Sequence, residues 1–89
     1  MKSSNVIEAY ILIAVEPKPA MADIEKRIMK FRRLYELVEV LGPYEIMARF
    51  RFRNKEQLIK ILDELSRIEG VKDYLVLITT KKLKSKTLL

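Results

Sequence analysis

Between Val6 and Glu16 apolar residues fall on every second position, through Ile7, Ala9, Ile11, Ile13 and Val15, while Glu8, Tyr10, Leu12 and Ala14 occupy the alternate ones. A period of two predicts a strand, and apolar residues on both sides place it centrally in a sheet. Pro17 and Pro19 end it. From Ala20 to Leu34 the period changes, with Met21, Ile24, Ile28 and Phe31 recurring at spacings of three and four. Asp23 and Glu25 come early and Lys30, Arg32 and Arg33 late, so the segment predicts an amphipathic helix with charges matched to its dipole. YELVEVL, over 35–41, returns to alternation and predicts a second strand whose acids suit an edge or a partly wet face.

In EIMARFRFR, over 45–53, Ile46, Ala48, Phe50 and Phe52 point to a core while Met47, Arg49, Arg51 and Arg53 point away from it. Asn54 then offers an N-cap with Gln57 in capping-box position, and Leu58, Ile61, Leu62, Leu65 and Ile68 form the stripe of a second helix that Gly70 stops. VKDYLVLITT, over 71–80, predicts a fourth strand. The order strand, helix, strand, strand, helix, strand predicts an α+β fold, a ferredoxin-like βαββαβ sandwich with a four-stranded antiparallel sheet and two helices on one face. Residues 1–80 are expected to form one domain and 81–89 a basic tail.

Helices on one face leave the other open, where Tyr10, Leu12, Leu37 and Met47 join one face of the fourth strand in an apolar patch. Such a patch on a small domain predicts a partner, most simply a second copy packing sheet to sheet. If Val38 and Val40 share the core face with Ile46 and Ala48, Val40 pairs with Ile46, and Gly42, Pro43 and Tyr44 form the connection.

Composition narrows the function classes. The 89 residues contain neither cysteine nor histidine, which removes the usual metal ligands, nucleophiles and acid-base groups. Asp23, Asp63 and Asp73 are scattered, and Ser3, Ser4, Ser66 and Ser85 have no base beside them, so no catalytic residue is nominated and no enzyme, cofactor or metal is expected. The bias toward Lys, Arg and Glu is familiar from proteins of hot environments. The net charge of +6 owes four cations to Lys81, Lys82, Lys84 and Lys86; without the tail, 14 basic residues face 12 acidic ones. A solvated tail is the simpler reading, a polyanion contact the sharper one. Arg49, Arg51 and Arg53 either meet phosphates or pair with Glu39, Glu8 or Glu16. Base stacking as in RNA-recognition modules is excluded by the inward placement of Phe50 and Phe52. No apolar run is long enough for a membrane span and the first residues do not form a secretory signal, so a cytoplasmic protein is expected.

The remaining candidate is the loop Gly42-Pro43-Tyr44-Glu45, where glycine permits unusual backbone angles, proline fixes the next ones, and exposed amides beside a carboxylate suit a zwitterion. A plain turn fits the same residues.

AYILIAVEP, VEVLGPYEIMARFRF and IEGVKDYLVLITTKK, in this order and spacing over roughly residues 8–82, resemble the effector-binding RAM domain of Lrp/AsnC transcription regulators. The resemblance implies a domain that dimerises through its sheet, assembles further to tetramers of dimers (an octamer), and binds a free amino acid or related small metabolite between subunits. The family's Gly-x-Tyr-Asp effector loop maps onto Gly42, Pro43, Tyr44 and Glu45, where glutamate keeps the charge with one more methylene. Tyr74 and Val76 stand near positions where the family places threonines, and complete the implied ligand site. Because the first strand begins close to Met1, the resemblance implies a stand-alone sensor without a helix-turn-helix. It would not read DNA sequence itself, and would sense a metabolite or join full-length Lrp/AsnC relatives in mixed oligomers.

Overall fold

The structure is a computed structural model and describes residues 6–86. Strand β1 (Ile7–Val15) leads through a short 3-10 turn (Lys18–Ala20) into helix α1 (Met21–Ile28). Strands β2 (Leu34–Glu39) and β3 (Ile46–Phe52), helix α2 (Lys55–Ser66) and strand β4 (Val71–Ile78) follow. The strands form one antiparallel sheet in the order β2-β3-β1-β4, the expected ferredoxin-like arrangement.

The alternation is realised throughout β3 and from Ala9 to Val15 of β1; at the start of β1 Glu8 is buried and Ile7 only partly so. Ala9, Ile11, Ile13, Val15, Ile46, Ala48, Phe50 and Phe52 are buried, and they pack in one cluster with Ile24 and Ile28 of α1 and Ile61 and Leu65 of α2. Each such large apolar side chain, fully withdrawn from water, contributes roughly 1.5–3 kcal/mol, so this helix-covered face holds the fold together. At the start of α2, Asn54 Oδ1 accepts from the Gln57 amide at 2.9 Å, and Gln57 Oε1 accepts from the Arg53 amide at 2.7 Å, so the expected cap forms.

Helix α1 is shorter than its apolar spacing predicts. After Ile28 the amides of Lys30 and Phe31 bond to carbonyls three residues back, at Arg27 and Ile28, which tightens the chain out of the α-helix. Phe31 keeps its core contact, its ring 5.8 Å from that of Phe50. Leu34 is then already in the sheet, opposite Phe50.

The largest departure is in β2. Leu34 pairs with Phe50 but Glu36 pairs with Arg49, so Tyr35 is an extra residue, a β-bulge. Beyond it the parity runs opposite to the expectation: Leu37 pairs with Ala48 and packs against the core, while Val38 pairs with Met47 on the open face. Leu37 is therefore not part of the open-face patch. Glu39, not Val40, opposes Ile46, and the connection is the six residues 40–45 rather than three.

Tyr10, Leu12 and Met47 lie on the open face as expected, joined by Leu75 and Leu77 of β4. Register aligns Val38, Met47, Leu12 and Leu75 in one apolar row across all four strands. Beside it runs Glu36, Arg49, Tyr10 and Leu77, and beyond that Arg51 opposite Glu8. The open face thus grades from apolar to ionic within three rows.

Candidate functional site

The loop between β2 and β3 is closed at its base by the Val40 amide, which donates to the Glu45 carbonyl at 3.0 Å. Gly42 turns it with φ of +152°, a backbone angle that side chains other than hydrogen rarely tolerate, and nothing lies within 4 Å of where a Cβ would stand. Leu41 at the tip is fully exposed, Val40 and Pro43 are exposed, and Tyr44 is half-buried.

Glu45 anchors this loop to the end of β1 through three contacts. Its amide donates to the Ile13 carbonyl at 3.0 Å, its Oε1 accepts from the Val15 amide at 2.8 Å, and its Oε2 meets Lys18 Nζ at 2.6 Å. The Lys18 ammonium first, and the Val15 amide second, hold its carboxyl below the usual carboxylate range. Glu45 is therefore an ionised clamp whose two oxygens already have partners, rather than a free acceptor.

Around this clamp lies an open recess of about 370 Å³, whose lining includes Val15, Glu16, Lys18, Pro43, Glu45 and Lys72. Lys72 Nζ pairs with Glu16 Oε1 at 3.1 Å, so the recess carries two ammonium and two carboxylate groups in exposed or half-exposed pairs. Both ends of a zwitterion find an opposite charge there without burying an isolated ion. Sequence reasoning missed Lys18, Glu16 and Lys72. Their only signal is position, beside the prolines that end β1 and directly after Val71, and three-dimensional closure is needed to read it.

Of the six residues expected to bind ligand, Pro43 and Glu45 line the recess and Gly42 and Tyr44 belong to the same loop. Tyr74 and Val76 are placed differently: they pair with Ile13 and Ile11 from the far side of β1, and their side chains pack against the helix-covered core. They do not line the recess.

The arginines of β3 resolve toward ion pairing. Glu8, only 8% exposed, receives Arg51 Nε at 3.1 Å and Arg49 Nη1 at 3.5 Å on Oε2, with Lys82 Nζ 3.5 Å from Oε1. Arg49 Nη2 also reaches Glu36 at 3.1 Å, and both guanidinium groups lie over the Tyr35 ring. Glu8 is an anticipated partner; Glu36 and Tyr35 reach the arginines because the bulge turns both to the open face. Among the described residues no group of three or more potential ligands is placed to hold a metal ion, and no helix is long and apolar enough to cross a membrane.

Residues 8–89 match the family model described as the Lrp/AsnC ligand binding domain. Among curated proteins the chain is 31% identical over 81 residues to the HTH-type transcriptional regulator FL11 of Pyrococcus furiosus, covering 91% of this chain and 53% of that protein. The chain thus spans about half the length of the curated relatives it matches. Among solved structures it superposes on TTHA0845 from Thermus thermophilus with a TM-score of 0.82 and 22% identity, over 89% of this chain and 99% of that one. It also superposes on the transcriptional regulator NMB0573/L-Met complex from Neisseria meningitidis with a TM-score of 0.83 and 21% identity, over 93% of this chain and 55% of that one.

Proposed function

The chain belongs to the Lrp/AsnC ligand-binding-domain family, and from that premise we propose that it is an amino-acid-sensing module whose ligand sits at the loop Gly42–Glu45. The observation that carries this reading is the recess of about 370 Å³ at that loop, with its two ammonium and two carboxylate groups. The regulator whose structure is described as an L-Met complex shares the fold and gives the first ligand to try. In this reading Lys18 draws the ligand carboxylate, the Glu16 carboxylate draws its ammonium, Glu45 holds Lys18 and the loop in place for both contacts, and the backbone around Gly42 closes over the ligand.

The module works as a homo-oligomer joined across the open sheet face, and communicates ligand occupancy to regulators of its family by association. No step of this reading requires catalysis.

A thermal-shift screen of the twenty amino acids tests it directly. A ligand at tenfold excess over its Kd stabilises the native state by roughly 1.4 kcal/mol, which for a domain of this size raises Tm on the order of 5–10 °C. Methionine and its apolar neighbours are expected to give that shift, and Glu45→Ala to weaken the affinity about tenfold or more in calorimetry. Equal affinity in the variant would remove Glu45 from the site. A flat screen would leave the chain as a partner in mixed oligomers with no ligand of its own.

A further inference from the structure

At the opposite end of β1 from the loop, the chain leaving β4 continues alongside the start of β1, where the Thr79 amide donates to the Glu8 carbonyl at 2.8 Å and extends the antiparallel register by one position. Beside this end of the sheet lies a second open recess of about 410 Å³, whose lining includes Glu8, Arg51, Thr79, Thr80, Lys81 and Lys82. The geometry points to a phosphate-binding site here, built from the Arg51 guanidinium, the Lys81 and Lys82 ammonium groups and the threonine-bearing segment 79–80.

Three features favour a phosphate over other ligands. Three cations against one carboxylate leave two uncompensated positive charges, matching the roughly −2 charge of a phosphate monoester near neutral pH. Arg51 is also held in a fixed pose: its Nε is bound to Glu8 at 3.1 Å and its guanidinium carbon lies 3.6 Å from the centroid of the Tyr35 ring. Among the described residues its terminal nitrogens form no ion pair, and its side chain is 40% exposed, so a preset two-nitrogen fork faces outward. Finally, Lys82 lies 3.5 Å from Glu8 Oε1, yet that oxygen has no hydrogen-bond partner, so the ammonium is attracted without being locked and is free to turn to a ligand. A carboxylate ligand would use fewer of these donors and neutralise only half of the charge. Glu8 is a positioning residue in this site, since it aims Arg51 and does not touch the anion.

The phosphate belongs either to a small phosphorylated metabolite or to a nucleic-acid backbone, and one set of measurements separates the two. The full chain is titrated with inorganic phosphate, AMP and a short duplex DNA, each against sodium chloride at equal ionic strength, following amide and arginine Nε signals by NMR. Saturable shifts at Thr79, Thr80, Lys81, Lys82 and Arg51 are expected. They should weaken about tenfold in the double variant Lys81→Ala/Lys82→Ala, and comparably in Arg51→Lys, which keeps the charge but loses the fork. Because Lys81 and Lys82 are exposed, the double variant should fold as the parent does, and its circular dichroism checks this. Saturation by AMP or phosphate assigns a small ligand; duplex binding lost in the same variants, without a response to AMP, assigns a backbone. Responses no larger than chloride gives, responses confined to Lys84 and Lys86, or unchanged affinity in the folded double variant would overturn the site. Amino-acid binding at the other end of the sheet is read separately, so either proposal can fail alone.

Discussion

Glu8 is the one buried charged residue among those described, and it shows how much of this sheet depends on ion pairing. Burial pushes its carboxyl up, but the Arg51 hydrogen bond and the Lys82 and Arg49 charges outweigh burial and hold it below the ordinary value near 4.5. An acid whose folded pKa is depressed adds stability above its unfolded value, and that stability is lost as pH falls through the folded one. Urea unfolding followed from pH 6 downward should therefore show a loss of stability below about pH 4.5 that Glu8→Gln makes shallower, leaving the part due to Glu45, the variant being weaker by about 1–3 kcal/mol at neutral pH once solvent screening of Arg51 is allowed for. An equal pH slope in parent and variant would sink this account. Glu25 behaves oppositely: the neighbouring Glu39 carboxyl first, then burial, raise its carboxyl above the ordinary value. Its contribution is present at low pH and lost as pH rises through the folded value, so neutral pH leaves two carboxylates opposed. Glu39→Gln supplies a donor in place of the repelling charge, and should raise stability at pH 7 by up to about 0.5 kcal/mol, with the gain vanishing toward pH 4.

At the scale of elements, Gly70 marks where a single atom decides a connection. It adopts φ of +102°, and a Cβ there would stand 2.8 Å from Ile24 Cδ1 and 3.3 Å from the Ala20 Cβ. Gly70→Ala combines backbone strain with a clash against a fully buried side chain, and is expected to cost about 2 kcal/mol in chemical denaturation; Gly42→Ala meets no neighbour and should cost less. The order of elements, the core face of β1 and β3 and the cap of α2 were legible because each is written in local periodicity or in one capping pair. The register of β2 was not. Leu34 and Leu37 both face the core only because the bulge at Tyr35 inserts a residue between them, and no local pattern distinguishes that from a clean strand carrying Val38 and Val40 inward. The loop was legible as a candidate from Gly42 to Glu45, but the engagement of Glu45 was not, since Lys18 and Val15 are 27 and 30 residues away in sequence. Tyr74 and Val76 were associated with the loop by the family resemblance, whereas their parity in β4 turns them to the core.

For the whole molecule, the open sheet face is the surface through which assembly is expected. A helix-free face bearing Val38, Met47, Leu12 and Leu75 in one row, with Leu75 and Leu77 42% and 48% exposed, leaves apolar surface in water across all four strands. Four strands about 4.8 Å apart and about seven residues long present roughly 450 Å² in plan, already more than half of the roughly 800 Å² per partner of a stable interface before side-chain relief is counted. The ion pairs of Glu8, Arg49, Arg51 and Glu36, spread over the two rows beside the apolar one, supply a polar side to the face, which resists sliding between two copies because a shift sets arginines against the apolar row. A second copy facing the first is thus the expected occupant, and Leu75→Asp tests it with little risk to the fold, since β4 is an edge strand and Leu75 points to solvent in the single chain. In analytical ultracentrifugation at micromolar concentration the parent should sediment as a dimer or larger and Leu75→Asp as a monomer with unchanged circular dichroism. Ile59→Asp, on the outer side of α2 and more exposed than Leu75, should leave the assembly intact. If both variants dissociate the protein, helices rather than sheets form the contact; if neither does, the apolar row is not the interface.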